Sequence, residues 1–192
     1  MNLHSLFETE FDQHREVLKY TQETLYKPFS VLLNITVNSL KDGGKILFFG
    51  NGGSAADAQH LSTELVVRYK KDRKPIPSIA LTTDSSAITA GGNDIGFENI
   101  FARQIEALAN PGDIALGIST SGNSENVING LIKARSIGAI AAGFGGNGGG
   151  KMIGTADPYI IVPSKITARI QEMHILIGHI FCDAIEQKLD LV

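Results

Sequence analysis

The chain has 192 residues, 43% of them hydrophobic, which is the length of one α/β domain and enough to bury a core without disulfides or a structural metal. Seventeen Lys and Arg against twenty Asp and Glu leave a net charge of -3, so the basic face that a nucleic-acid backbone requires is missing, and no apolar run approaches the roughly 18 residues of a membrane span. The single cysteine, Cys182, has no partner for an internal disulfide, and no cationic start is followed by an apolar signal core. The expectation is a soluble cytoplasmic protein that binds neither nucleic acid nor membrane.

The first forty residues carry apolar side chains at helical spacing: Leu3, Leu6, Phe7, Phe11, Val17 and Leu18, then Leu25, Phe29, Leu32, Leu33, Val37 and Leu40. This predicts two amphipathic helices that part near Pro28 and end at the turn Lys41-Asp42-Gly43-Gly44. Residues 1–42 then form a helical pair that packs on a single domain of residues 1–192 and in its oligomer. Beyond the turn, short apolar runs end in small polar residues, and each is followed by a longer helical stretch. Strands are expected at about 45–49, 78–82, 113–118, 139–144 and 159–162. Continuous apolar runs suit strands buried on both faces, so the fold class is α/β, a parallel five-stranded sheet between helical layers in an αβα sandwich. The last helix, about 166–189, has apolar residues on more faces than one sheet surface covers, which a subunit interface explains.

The 21 glycines are clustered, and the clusters mark the candidate sites. The first strand runs into Gly50-Asn51-Gly52-Gly53-Ser54-Ala55-Ala56-Asp57, a turn that opens a helix and whose amides favour an anion. The string also fits G-x-G-x-x-A, but the first acidic residue after the second strand is Asp84, some thirty residues on, where a dinucleotide site wants one about twenty residues on. A tight turn with nothing bound is the plainer alternative. No G-K-[ST] follows, so the nucleoside-triphosphate loop fails.

The third strand ends in Ser119-Thr120-Ser121-Gly122-Asn123-Ser124 before a helical stretch at 125–135. Four hydroxyls and free amides at a strand's carboxyl end can surround a phosphate, while a serine there can also serve only as a helix cap. Both loops sit at the carboxyl edge of the sheet, where open α/β folds bind ligands. The third cluster, Gly145-Gly146-Asn147-Gly148-Gly149-Gly150-Lys151, reads no less naturally as a mobile loop than as part of a site.

His60 and Glu64 are four apart on the helix after the first loop and share a face, as a salt bridge or as part of a site. His174 on the last helix reads as a surface or core residue. Gln171 and His179 lie eight residues apart on that helix, roughly 12 Å, so they meet at one small site only by leaning inward or with help from a second subunit.

Taken together, Gly50-Asn51-Gly52-Gly53-Ser54, His60 with Glu64, Gly92-Asn93-Asp94, the run from Gly117 to Ser124, and Arg169-Ile170-Gln171-Glu172 with His179 resemble the phosphoheptose isomerases of the sugar-isomerase-domain family over essentially the whole chain. The resemblance implies a five-stranded parallel sheet, a homotetramer with active sites at subunit interfaces, and conversion of sedoheptulose 7-phosphate to D-glycero-D-manno-heptose 7-phosphate through a cis-enediol. It implies that Ser119, Thr120, Ser121 and Ser124 hold the phosphate and that Asn51, Gly52, Gly53, Ser54, Glu64, Asn93, Asp94 and Gln171 meet the substrate. It further implies that His60, Glu64, Gln171 and His179 bind zinc, with Glu64 and His179 also the acid/base pair, in either assignment. The two roles compete, because a lone pair given to a metal is not free to take a proton.

The DnaA initiator-associating protein, a replication regulator, is similar in fold and in the segment Arg169-Ile170-Gln171-Glu172-Met173-His174, but carries non-ionisable side chains where Glu64 and His179 stand here. Such a regulator, or a non-catalytic phosphosugar-binding module, is the alternative function. Ala168 stands where some heptose isomerases have an aspartate, and the cluster Gly145 to Gly150 has Asn147 and an extra run of glycine where a lysine-aspartate turn is common.

Overall fold

A computed structural model describes residues 1–192. The N-terminal helices are α1 (Leu3–Thr24) and α2 (Tyr26–Lys41), and they part at Leu25, not near Pro28. Pro28 sits in the first turn of α2, where its missing N–H would have had no intrahelical partner, so it starts the second helix and does not divide the pair.

The expected five strands are all present as β1 (Ile46–Gly50), β2 (Ser78–Ala80), β3 (Ile114–Ser119), β4 (Ile140–Gly145) and β5 (Tyr159–Ile161). Their helices are α3 (Gly53–Val66), α4 (Ser85–Asp94), α5 (Ile100–Leu108), α6 (Glu125–Ser136) and α7 (Thr167–Lys188), with short 3-10 turns at Phe97–Asn99 and Asn147–Met152. The sheet is parallel throughout, in the order β2-β1-β3-β4-β5, with Phe48 opposite Leu116 and Leu116 opposite Ala142.

Alternate residues of each strand feed two cores. Ile46 and Phe48 pack with Leu32 and Val37 of α2, Leu61 of α3, and Ile177 and Phe181 of α7. Leu47 and Phe49 pack on the other face with Phe101 and Ile105 of α5 and Val127 and Leu131 of α6. Burial on both sides explains why the strands read as unbroken apolar runs. No helix is long and apolar enough to cross a membrane. The strand order reverses between β1 and β3, and in such sheets a crevice opens outside the carboxyl ends of the strands at the point of reversal.

Candidate active site

Both motif loops open at this reversal. Asn51 follows β1, Asn126 lies in the first turn of α6 after β3, and their side-chain amides exchange two hydrogen bonds of 2.8 and 2.9 Å. Asn126 is buried, so the pair fixes the two loops side by side.

The serines after β3 do not act as caps. Ser124 occupies the cap position of α6, yet its side chain makes no capping bond; its Oγ lies 2.9 Å from Ser119 Oγ, which is 3.5 Å from Ser121 Oγ. The start of α3 at Gly52 likewise has no side-chain cap, whereas Asn2 and Asp84 cap α1 and α4. Clustered hydroxyls beside helix starts whose amides lack a side-chain acceptor suit an anion. Thr120 is half-buried beside them, and Ser54 is buried under the first loop.

The glycine run after β4 is folded against this loop. Met152 N donates to Gly122 O at 3.0 Å and Lys151 N to Asn123 Oδ1 at 3.0 Å, while Asn123 N donates to Ser121 Oγ at 3.1 Å.

A second cluster forms where α3 packs on α7. The helices run in the same direction, with Gly53 against Gln171 and Leu61 against Gly178. A Cβ at Gly178 would stand 2.5 Å from Leu61 Cδ2, so glycine permits the close approach that brings its neighbour His179 onto α3. His60 Nε2 then lies 3.0 Å from His179 Nε2 and 3.1 Å from Glu64 Oε1, and the three ligand atoms fall within 4.8 Å of one another. Tyr69 stacks on His179 with ring centroids 5.5 Å apart and planes at 26°. Asp57, one turn before His60, is half-buried, and desolvation of its carboxyl raises its pKa against the opposing charge of His60.

Beneath the cluster, Arg73 and Glu186 form an ion pair whose side chains are 1% and 0% exposed. Arg73 also donates to the carbonyls of Glu64 and Leu65, and Glu186 accepts from Tyr69 N, so one buried pair holds both the end of α3 and the segment carrying Tyr69.

Two imidazole nitrogens and a carboxylate oxygen facing one another are a donor set suited to zinc. A tetrahedral ion with bonds of about 2.0–2.2 Å keeps its ligand atoms roughly 3.3–3.6 Å apart, close to the 3.0 and 3.1 Å that separate His60 Nε2 from its two neighbours, so the residues fit such an ion. Gln171, the fourth expected ligand, is half-buried with its amide against Gly53, seven residues before His60 on α3. Asn93 and Asp94 are exposed at the end of α4, where Asn93 Nδ2 donates to Asp94 Oδ1 at 2.7 Å, and no hydrogen bond joins them to either loop. The structure thus assembles His60, Glu64 and His179, and separately Asn51 with the serine loop. Asn126, Tyr69, Arg73 and Glu186 have no local sequence signature; each acts through a partner more than seventy residues away.

The SIS domain family model matches residues 11–146. The phosphoheptose isomerase of Paramagnetospirillum magneticum is 56% identical over 186 residues, covering 97% of each chain, and that of Aquifex aeolicus is 60% identical over 155 residues, 81% of each. Solved phosphoheptose isomerases from Neisseria gonorrhoeae and Francisella tularensis superpose with TM-scores of 0.92 and 0.94 at 39% and 36% identity, covering 97% of this chain and 100% of theirs. With its isomerase relatives matching from end to end, the chain belongs to the SIS-domain family, among the phosphoheptose isomerases, and is an isomerase of sugar phosphates.

Proposed function

We propose that the enzyme converts sedoheptulose 7-phosphate to D-glycero-D-manno-heptose 7-phosphate, the first step toward the ADP-heptose and GDP-heptose precursors of bacterial glycans such as lipopolysaccharide. The observation that carries this reading is the convergence of the Glu64 carboxylate with the His60 and His179 imidazoles, in a fold whose serine loop leaves phosphate donors open. Relatives with the same end-to-end match bear the name phosphoheptose isomerase, which supports the choice of a heptose phosphate.

Ser119, Thr120, Ser121 and Ser124 hold the phosphate, while Asn51, Gly52, Gly53, Ser54, Asn93, Asp94 and Gln171 meet the sugar. Glu64 takes a proton from C1 of the ketose and returns it to C2, and His179 carries a proton from the C1 oxygen to the C2 oxygen, so a cis-enediol links the two sugars without net gain or loss. Exchanging the two roles keeps the same balance. His60, Glu64, His179 and Gln171 are the residues that would hold a zinc ion, which when bound polarises the carbonyl and stabilises the enediolate. Glu64 and His179 use the same lone pairs for ligation and for proton transfer, so each serves one role at a time. A homotetramer with interface sites brings in the contacts that Gln171 does not make within one chain.

Purified protein incubated with sedoheptulose 7-phosphate, with and without a chelator, should yield the aldoheptose 7-phosphate, read by NMR. No product under either condition, or with added zinc, overturns the assignment.

A further inference from the structure

Tyr159 stands on the edge strand β5, two strands away from the serine loop that follows β3. Its hydroxyl nevertheless reaches that loop's support, donating to Gly149 O at 2.8 Å. Burial pushes the phenol pKa up to about 12, which keeps the proton on the donor oxygen throughout the working pH range.

The contact lies at the point where the glycine run meets the serine loop. A Cβ at Gly122 would land on the carbonyl of Gly149 and 2.9 Å from the Tyr159 hydroxyl, so the three groups share one contact. Gly148, Gly149 and Gly150 all have positive φ, at 76°, 91° and 55°, a conformation that side chains resist and that carries the run under the loop. A Cβ at Gly150 would stand 2.6 Å from Ser121 O and 2.7 Å from Gly122 O, so backbone packs directly on backbone. Two further clamps follow directly after the glycines, from Lys151 N to Asn123 Oδ1 and from Met152 N to Gly122 O. A run so rich in glycine loses much conformational entropy on ordering, and a fixed acceptor at its centre offsets part of that cost.

We infer that Tyr159 is a positioning residue for the substrate phosphate: by fixing the Gly149 carbonyl it seats the glycine run against Gly122 and orients the Ser121 hydroxyl and the loop amides. The inference rests on the serine loop being the phosphate site. It makes recognition of the phosphate, and not proton transfer at the other end of the sugar, the step that depends on Tyr159.

Tyr159→Phe removes one oxygen and leaves the ring packed. The expected result is a rise of about three- to tenfold in KM for sedoheptulose 7-phosphate and in Kd for inorganic phosphate, the equivalent of one net hydrogen bond, with kcat within about twofold of the parent. A purely structural role would lower the melting temperature and leave KM and Kd in place, which overturns the inference. Ser121→Ala, measured alongside, separates the two levels of the argument. If it weakens phosphate binding and Tyr159→Phe does not, the positioning role fails and the phosphate site stands; if neither does, both fail. Should Tyr159→Phe not fold, Asn123→Ala loosens the same seating from its exposed side, and an unchanged KM in that variant overturns the inference equally.

Discussion

His179 Nε2 faces His60 Nε2 at 3.0 Å, across two helices packed in the same direction. Two nitrogens this close cannot both carry a proton on the shared line, so at least one offers a bare lone pair to its neighbour or to a cation. With Glu64 Oε1 3.1 Å from His60 Nε2, the lone pairs gather at one point.

Zinc binding is the first prediction from that arrangement, and it is measurable without turnover. Equilibrium dialysis of chelator-stripped protein should show about one zinc per chain, and the ion should raise the melting temperature, because it binds the folded state. His60→Ala and His179→Asn should each weaken binding by more than the roughly 10–100-fold that follows loss of a second-sphere partner. Zinc uptake that survives both substitutions places the metal elsewhere.

How far these residues were legible from sequence differs by kind. The strands were legible to within a residue or two because burial on both faces leaves an unbroken apolar run. The helix break was not, since proline in a first turn and proline at a break look alike without the packing. His60 and Glu64 share a helix face and can be paired by spacing, but His179 joins them only through the register of α3 on α7, which rests on Gly178 admitting Leu61. The serine loop was legible as a group of donors; that Ser124 bonds to Ser119 and does not cap its helix depends on rotamers. The glycine run has the composition of a mobile loop, and only tertiary hydrogen bonds to Gly122 and Asn123 reveal its place.

A pH dependence of stability is expected from His174. It is fully buried, its Nε2 lies 3.0 Å from Gly145 O, which accepts its proton, and burial lowers its pKa from 6.5 to about 4. Because the folded pKa lies below the unfolded one, the unfolded chain takes up the proton first, and stability falls as pH drops from 6.5 toward 4. Integrated for one group, the loss between pH 7.5 and pH 5 is about 2 kcal/mol. Urea unfolding at the two pH values measures it, and His174→Gln should remove most of that difference; an equal pH slope in parent and variant assigns the loss to other groups.

Oligomerisation is expected from the apolar surface one chain leaves open. Leu18 of α1, Leu25 between the two helices, and Tyr26 and Phe29 of α2 line a groove of about 400 Å³ with Leu176 and Ile180 of α7, and Phe7 and Phe11 are also exposed on α1. So much contiguous apolar surface is unusual on a monomer, and a closed assembly of D2 symmetry covers such faces in pairs. Light scattering at micromolar concentration should give a tetramer, and Ile180→Asp should shift it toward smaller species with loss of activity. A fully active monomer excludes shared sites.

The acid/base assignment is tested by two near-isosteric changes. Glu64→Gln and His179→Asn remove ionisable groups without opening a cavity, and each should lower kcat by roughly the 10²–10⁴-fold typical of a lost general acid or base. Both side chains are half-buried at the α3 and α7 contact and lie outside the buried Arg73–Glu186 pair, so melting temperatures and assembly should match the parent. Either group also supplies a metal ligand, so turnover is compared in zinc-saturated and chelated protein. A loss confined to the zinc-saturated form assigns the residue to ligation, and a loss in both forms assigns it to proton transfer. Solvent deuterium wash-in is expected at C1 of recovered sedoheptulose 7-phosphate, since the base removes and returns a proton there before the sugar leaves. If C1 exchange survives in Glu64→Gln and disappears in His179→Asn, the two roles are exchanged, with the imidazole as the base at carbon.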